Sequence, residues 1–399
     1  MSRLIIFRQA LSRGVPFEAF TKDIALICLS NIMGAFGEGL YFWVFPIYIR
    51  TLQADYVQLG LVFSVLYGAS ALAPIPGGVL ADRYDRKKIL ILAWTPWVFS
   101  ALIYSFASNW VQLIPGAVCW GISMFGVPAM NAYVFTAVKD KKKLASVLSF
   151  VWAAYSFSYI FAPAIGAYLA TVIEMRWVLR LSSMMCAIAT AIFFLLRSQY
   201  PPKNNEKTDA KVEASDGRKR LWRKMLYWSI FFAAANFFIS IARPYVATFL
   251  DEEIKLSEFY VGLFGSINFA GITLIGLIMG RLGDRWRKSG AMSLCFLLYI
   301  ASMVPLILIR DTATLMLIAF FYGGSAVSGA LVTSFVGTIS PENKRGLWAS
   351  IPQSLSLFAA FAAPFVGGYL YTFSPYYAFL VSVSAMPFFA VFALLKLKE

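Results

Sequence analysis

Apolar runs of membrane-spanning length leave this 399-residue chain little choice of fold. A helix needs about 20 mostly apolar residues to cross the hydrocarbon core of a bilayer. Between charged breaks the sequence holds twelve such runs, near 24–49, 57–80, 88–107, 110–137, 145–172, 177–196, 225–250, 258–281, 289–309, 312–338, 346–372 and 375–395. In lipid every backbone N–H and C=O must be paired within the protein, which leaves helices or closed barrels. Runs this long predict helices. Only 14% of the residues are charged and 60% are hydrophobic, whereas a soluble domain carries about 25% charged residues. The reading is an all-α membrane protein of twelve transmembrane helices. The 27 glycines and 17 prolines do not oppose it, because both are more frequent in membrane helices than in soluble ones.

If successive helices alternate in direction, the connecting loops fall into two sets. Of 35 lysines and arginines, Arg50, Arg176, Lys255 and Arg310 lie on one set, Arg180 and Arg243 lie inside runs, and the other 29 lie on the second set with both chain ends. Lysine and arginine stay cytoplasmic, so the reading is a multi-pass protein of the plasma membrane with cytoplasmic N- and C-termini. The net charge of +15 is then topological. No nucleic-acid partner is expected, since no soluble domain exists to hold one. The opening "MSRLIIFRQALSRGVPFEAFTKD" is basic and amphipathic and lacks a signal-peptide cleavage site. The four cysteines fall in apolar runs with no CxxC pair and read as small hydrophobes. There is no histidine, so proton chemistry falls to carboxylates. No metal site and no cofactor are expected.

One polar stretch, 197–224, divides the chain into two six-helix bundles, 1–196 and 225–399, and reads as a cytoplasmic linker loop; few of its residues are apolar. The halves repeat. An offset of 202 lays Gly60 on Gly262, Gly78 on Gly280, Leu80 on Leu282, Asp82 on Asp284 and Arg83 on Arg285, without a gap. An offset of 201 lays "APAIGAYLA" (162–170) on "APFVGGYLY" (363–371). Parallel repeats of this kind are a transporter architecture, with the binding site between the halves near the midplane. In helices 1 and 7, aligning Pro46 with Pro244 sets Glu38 against Asn236 and Arg243 against Phe45.

On these residues the chain resembles the major facilitator superfamily. The family's signature loop between helices 2 and 3 matches Gly78, Leu80, Asp82, Arg83, Arg86, Lys87 and Lys88, and its degenerate copy between helices 8 and 9 matches Gly280, Asp284, Arg285, Arg287 and Lys288. The resemblance implies two pseudo-symmetric six-helix bundles that alternate access by rocking. It also implies a cytoplasmic gate in which Asp82 meets the start of helix 11 near Arg345–Trp348. Gly78 is read as a site of close helix approach. The family's helix 5 antiporter motif is matched in part by Pro163 and Gly166, and helix 11 repeats it with Pro364 and Gly367, so all four are read as helix-bend and packing positions. An arginine that many proton-driven members carry in helix 4 is absent; the slot near Ala117 is apolar.

Ionisable groups inside a membrane are costly and point to function. Glu38, between Gly37 and Gly39 in helix 1, is the leading candidate for proton or cation binding. Arg243, before Pro244 in helix 7, is read as its ion-pair partner or as a site for an anionic substrate. Asn31, Tyr41, Asn131, Tyr133, Tyr155, Asn236, Tyr245, Asn268 and Gln353 sit in helices that line the family's cavity. One central acid among many aromatics resembles the drug/proton antiporter branch. The function read from the sequence is proton-coupled efflux of a hydrophobic or amphipathic small molecule by a monomer in the lipid bilayer. The alternatives are a uniporter or exchanger of an organic anion, sugar or lipid-like solute using Arg243, or a non-transporting sensor. No nucleophile–base set or phosphate-binding loop points to an enzyme.

Overall fold

A computed structural model describes residues 21–138, 144–201, 215–339 and 345–397. Among them are twelve helices long and apolar enough to cross a membrane. They are α1 (Lys22–Phe42), α2 (Tyr56–Ala81), α3 (Arg86–Phe106), α4 (Trp110–Ala137), α5 (Val147–Ile173), α6 (Met175–Leu195), α7 (Leu221–Glu252), α8 (Glu258–Arg285), α9 (Lys288–Leu308), α10 (Thr312–Val336), α11 (Ile351–Phe373) and α12 (Pro375–Lys396). Each falls on one of the twelve apolar runs. A short helix, Phe45–Thr51, continues α1 beyond a break at 43–44. Residues 202–214 of the polar linker lie outside the described residues. The helix leading into α7 starts at Ser215, inside the stretch read as linker.

The helix that continues into α7 ends at Ala242 and resumes at Tyr245. Its break therefore stands in the same place as that of α1, although Pro46 lies inside the resumed segment and Pro244 just before it. Proline is tolerated at several positions of a first turn, so aligning the two prolines misplaces the register. The backbone contacts give the correct one. Gly166 of α5 presses on the Leu40 carbonyl of α1, and Gly367 of α11 presses on the Ile241 carbonyl of α7. Both pairs are offset by 201 residues, which sets Glu38 against Ile239 and Arg243 against Phe42. The loops after α1 and α7 also match: each turns on a non-glycine residue of positive φ, Gln53 at 63° and Lys255 at 62°.

Within each half the close glycine contacts replace the hydrophobic effect, which does not drive helix association in lipid. α1 is held between α5 and α6, and α7 packs along α11. Serines add interhelical bolts: Ser30 Oγ donates to Ala189 O at 2.8 Å and Ser293 Oγ to Ala390 O at 2.8 Å. A side chain at position 166 has no space beside the Leu40 backbone. Gly166→Val is expected to destabilise the N-terminal half by more than ~3 kcal/mol, read as loss of the monodisperse peak in size-exclusion chromatography after extraction.

The halves meet along two seams, α2 with α11 and α5 with α8. They are built from the repeated residues. Gly60 of α2 lies against the Pro364 carbonyl of α11, and Gly262 of α8 lies against the Pro163 carbonyl of α5. The same glycine and the same proline thus meet twice, each time across the halves. Neither proline breaks its helix, which runs from Leu144 to Ile173 in one half and from Arg345 to Phe373 in the other.

Candidate functional site

Glu38 sits near the end of α1, at the middle of the crossing that α1 and the short helix to Thr51 make together, and is 1% exposed. Gly37 and Gly39 on either side let α6 and α5 approach; a Cβ at 37 would lie 2.9 Å from Met185, and one at 39 would lie 2.7 Å from Ala162. The Trp120 indole N–H of α4 donates to Glu38 Oε1 at 2.9 Å, and the Tyr155 hydroxyl of α5 donates to Oε2 at 3.3 Å. The Tyr155 and Tyr159 hydroxyls are 3.2 Å apart. Phe42 stacks on Trp120 and meets Tyr159 edge-on. No lysine or arginine among the described residues pairs with this carboxyl: the one ion pair there is Arg50–Glu252. Two neutral donors therefore satisfy both oxygens. Such a cage holds a carboxylate by hydrogen bonds. It can also take a proton without leaving a cation unpaired.

Arg243 lies at the break of α7. It stays exposed although it is in mid-span. The phenols of Tyr67 from α2, Tyr299 from α9 and Tyr322 from α10 lie within electrostatic reach of its guanidinium. Tyr67 belongs to the other half, so Arg243 lies where the two halves meet. The Glu38–Arg243 ion pair read as one option from the sequence is not formed; each group has its own aromatic surroundings.

The remaining predicted residues divide. Tyr155 joins Glu38. Asn31 (Nδ2 to Val151 O, 3.4 Å), Asn236 (to Ser356 O, 3.1 Å) and Asn268 (to Ala319 O, 3.3 Å) donate to backbone carbonyls of neighbouring helices and act as bolts. Tyr41 is buried against Phe45 and Tyr104. The Tyr133 hydroxyl donates to the Arg197 carbonyl at 2.8 Å, away from Glu38. Tyr245 is a seam residue, its hydroxyl 2.6 Å from Pro364 O and 3.1 Å from Tyr56 O. Asn131 Oδ1 is buried with no hydrogen-bond partner among the described residues. Gln353 is exposed.

At the end of the bundle away from the chain termini, an ion pair between the halves appears that sequence reasoning missed. Arg50 Nε donates to Glu252 Oε1 at 2.9 Å, and the Tyr56 hydroxyl donates to Glu252 Oε2 at 2.7 Å. Arg50 also lies over the Tyr56 ring at 4.2 Å, and Tyr56 packs on Tyr371. Arg50 and Glu252 are offset by 202, the offset of the repeat; opposite charges at one repeat position were the available signal. Glu252→Gln keeps the shape and removes the charge. It is expected to weaken closure of this end by ~1 kcal/mol, read as a several-fold faster maleimide reaction of a cysteine placed at Val57 in an otherwise cysteine-free protein in nanodiscs.

The opposite, basic end looks different. Asp82, Arg83, Asp284 and Arg285 are exposed. A Cβ at Gly280 would meet nothing, and one at Gly78 would meet only Pro128 at 3.9 Å, so the close approach expected at Gly78 is not made; Gly77 makes it instead, against the Phe125 backbone. The side chains of Arg345–Trp348, the expected partners of Asp82, lie outside the described residues. Arg86 is buried and works within its own half, donating to Thr136 Oγ1 at 2.6 Å and to Gln199 Oε1 at 2.9 Å. That clamp holds the start of the linker.

Two repeated six-helix halves, joined by glycine seams and tied by an ion pair at one end, with an acid and a cation within their spans, define a membrane transporter. The family profile described as Major Facilitator Superfamily matches residues 27–249 and again 226–399, and the chain belongs to that superfamily. It is 24% identical over 333 residues to an MFS-type transporter of Methanocaldococcus jannaschii, covering 82% of this chain and 85% of that one. It is 23% identical over 372 residues to multidrug resistance protein 2 of Bacillus subtilis, covering 90% and 91%. A crystal structure of a mutant of the nucleoside transporter NupG superposes with a TM-score of 0.76 at 14% identity, over 93% of this chain and 97% of that one; that likeness concerns the fold.

Proposed function

We propose that the protein is a secondary active transporter that exports a hydrophobic or amphipathic small molecule in exchange for protons, with Glu38 as the proton carrier. The observation that carries this reading is the Glu38 cage: a buried mid-span carboxyl held by Trp120 and Tyr155, with no cation among the described residues at its side. A carboxyl so placed is costly to keep ionised. Protonation turns one of its oxygens from acceptor to donor. Tyr155 then turns its hydroxyl towards Tyr159, 3.2 Å away. The Tyr159 ring lies 4.5 Å from that of Phe269 in the other half, at the α5–α8 seam. Proton binding is thereby linked to the contact that must open when the halves rock. The multidrug resistance relative and the aromatic surroundings of Glu38 support a lipophilic cargo.

Orientation follows from charge. With the basic end cytoplasmic, the end tied by Arg50 and Glu252 faces outward, which fits an inward-facing state, the one in which an exporter loads its cargo. Gly78 and Gly280, idle here, are then the contacts of the opposite state. The 1–196 and 225–399 bundles are the two moving bodies, and the transporter works as a monomer.

The test uses the purified protein in proteoliposomes with an imposed pH gradient and a pH-sensitive dye. Lipophilic dyes and drugs are added as candidate cargo. The expected result is dissipation of the gradient on addition of a transported compound. Transport that moves no protons and ignores the gradient overturns the coupling.

A further inference from the structure

Arg243 is a cation within the span of α7. Around it stand three phenols from three helices and both halves. Among the described residues no carboxylate pairs with it. Tyr299 is already engaged, its hydroxyl 2.5 Å from Ser382 Oγ. Tyr67 and Tyr322 are buried to 8% and 6% exposure, whereas Arg243 itself is exposed. A cation whose role was structural would be expected to be covered and paired, as Arg50 is with Glu252. Here phenols from both halves stand beside the guanidinium, which nevertheless stays exposed.

We propose that this guanidinium is the seat of an anionic group on the transported molecule, so that the cargo is an amphipathic organic anion such as an aryl carboxylate or sulfonate. This deepens the export reading and rests on it for the direction of movement. Guanidinium matches a planar carboxylate with two parallel N–H···O bonds. The Tyr67 hydroxyl adds a third donor from the facing half, so the bound anion bridges the two bundles. Glu38 and Arg243 divide the work: one exchanges the proton and the other holds the cargo. They sit in separate surroundings, so the two charges do not cancel.

The test is equilibrium binding to the full-length protein in nanodiscs, without any gradient. The probes are a matched set: a naphthyl-alkyl carboxylate, its methyl ester and the corresponding amine, followed by intrinsic tryptophan fluorescence. The expected result is that the wild type binds the carboxylate at least tenfold more tightly than the ester and the amine. Arg243→Gln brings the carboxylate to the affinity of the ester, with the ester unchanged. Arg243→Lys, which keeps charge and loses the fork, falls between. Equal binding of carboxylate and ester by the wild type overturns the proposal whether or not the glutamine variant folds. So does undiminished carboxylate preference in Arg243→Gln. Glu38→Gln separates this inference from the proton-coupling reading, because it is expected to keep the carboxylate preference while losing gradient-driven movement.

Discussion

Glu38→Gln is expected to reduce pH-gradient-driven transport in proteoliposomes to the level of protein-free vesicles. The amide keeps the size of the side chain and still accepts from Trp120 or Tyr155 through its carbonyl, so the helices around it stay packed. It cannot carry a proton between the two faces. Exchange of cargo for cargo needs no proton, and counterflow of labelled against unlabelled compound is therefore expected to continue. Persistence of gradient-driven accumulation in this variant would sink the proton-carrier role. The cage offers a graded control. Tyr155→Phe removes a hydrogen bond to a charged group, worth about 1.5–3 kcal/mol, and leaves the carboxyl in place. Its expected effect is a shift in the pH dependence of transport with coupling retained.

The second large effect is expected at the seam. Gly60→Leu puts a side chain where the Pro364 carbonyl and the Tyr245 hydroxyl now lie. That clash exists only when the far end is closed. A cost above ~3 kcal/mol in one state alone moves the equilibrium by more than about a hundredfold. The protein is expected to stay folded, with each half intact, and to be locked open at the far end. Transport then falls to background, while a cysteine at Val57 becomes freely reactive. Gly78→Leu is the mirror experiment: with space around it here, it blocks the other state, so transport is lost while Val57→Cys stays protected. If Gly60→Leu instead unfolds the protein as Gly166→Val does, the seam belongs to the stable core and the rocking model fails.

These two glycines show how far sequence could be read. Gly60, Gly78 and the Ala-Pro-x-x-Gly motif were visible as a repeat at offsets of 201–202, because identical residues recur at one spacing. The repeat implied that they occupy equivalent places. It did not say that Gly60 and Pro364 meet each other, or that Gly77 rather than Gly78 makes the tight contact near the basic loop. Contacts across halves join residues about 100 to 300 positions apart, and nothing local encodes them.

The polar residues show the other limit. Asn31, Asn236, Asn268, Tyr133 and Tyr245 sit in the right helices for a cavity. A polar residue in a membrane helix has two ways to be satisfied, a ligand or a neighbour's carbonyl, and composition does not distinguish them. The structure brings all five to carbonyls. The Arg50–Glu252 pair was missed for the opposite reason: both lie at helix ends, where charge is ordinary.

By itself the sequence determined the solvent, the number of spanning helices, the charged face and the twofold repeat. Each follows from local physics: apolar length matched to bilayer thickness, backbone pairing in lipid, and the partition of lysine and arginine. Tertiary structure alone decided the partners. It placed Glu38 with Trp120 and Tyr155, separated it from Arg243, and set the register of α1 on α7 by close backbone approach. It also chose which end is tied by an ion pair. A transporter has at least two packings of one sequence that differ by a few kcal/mol, so local patterns serve both, and only the assembled contacts distinguish one from the other.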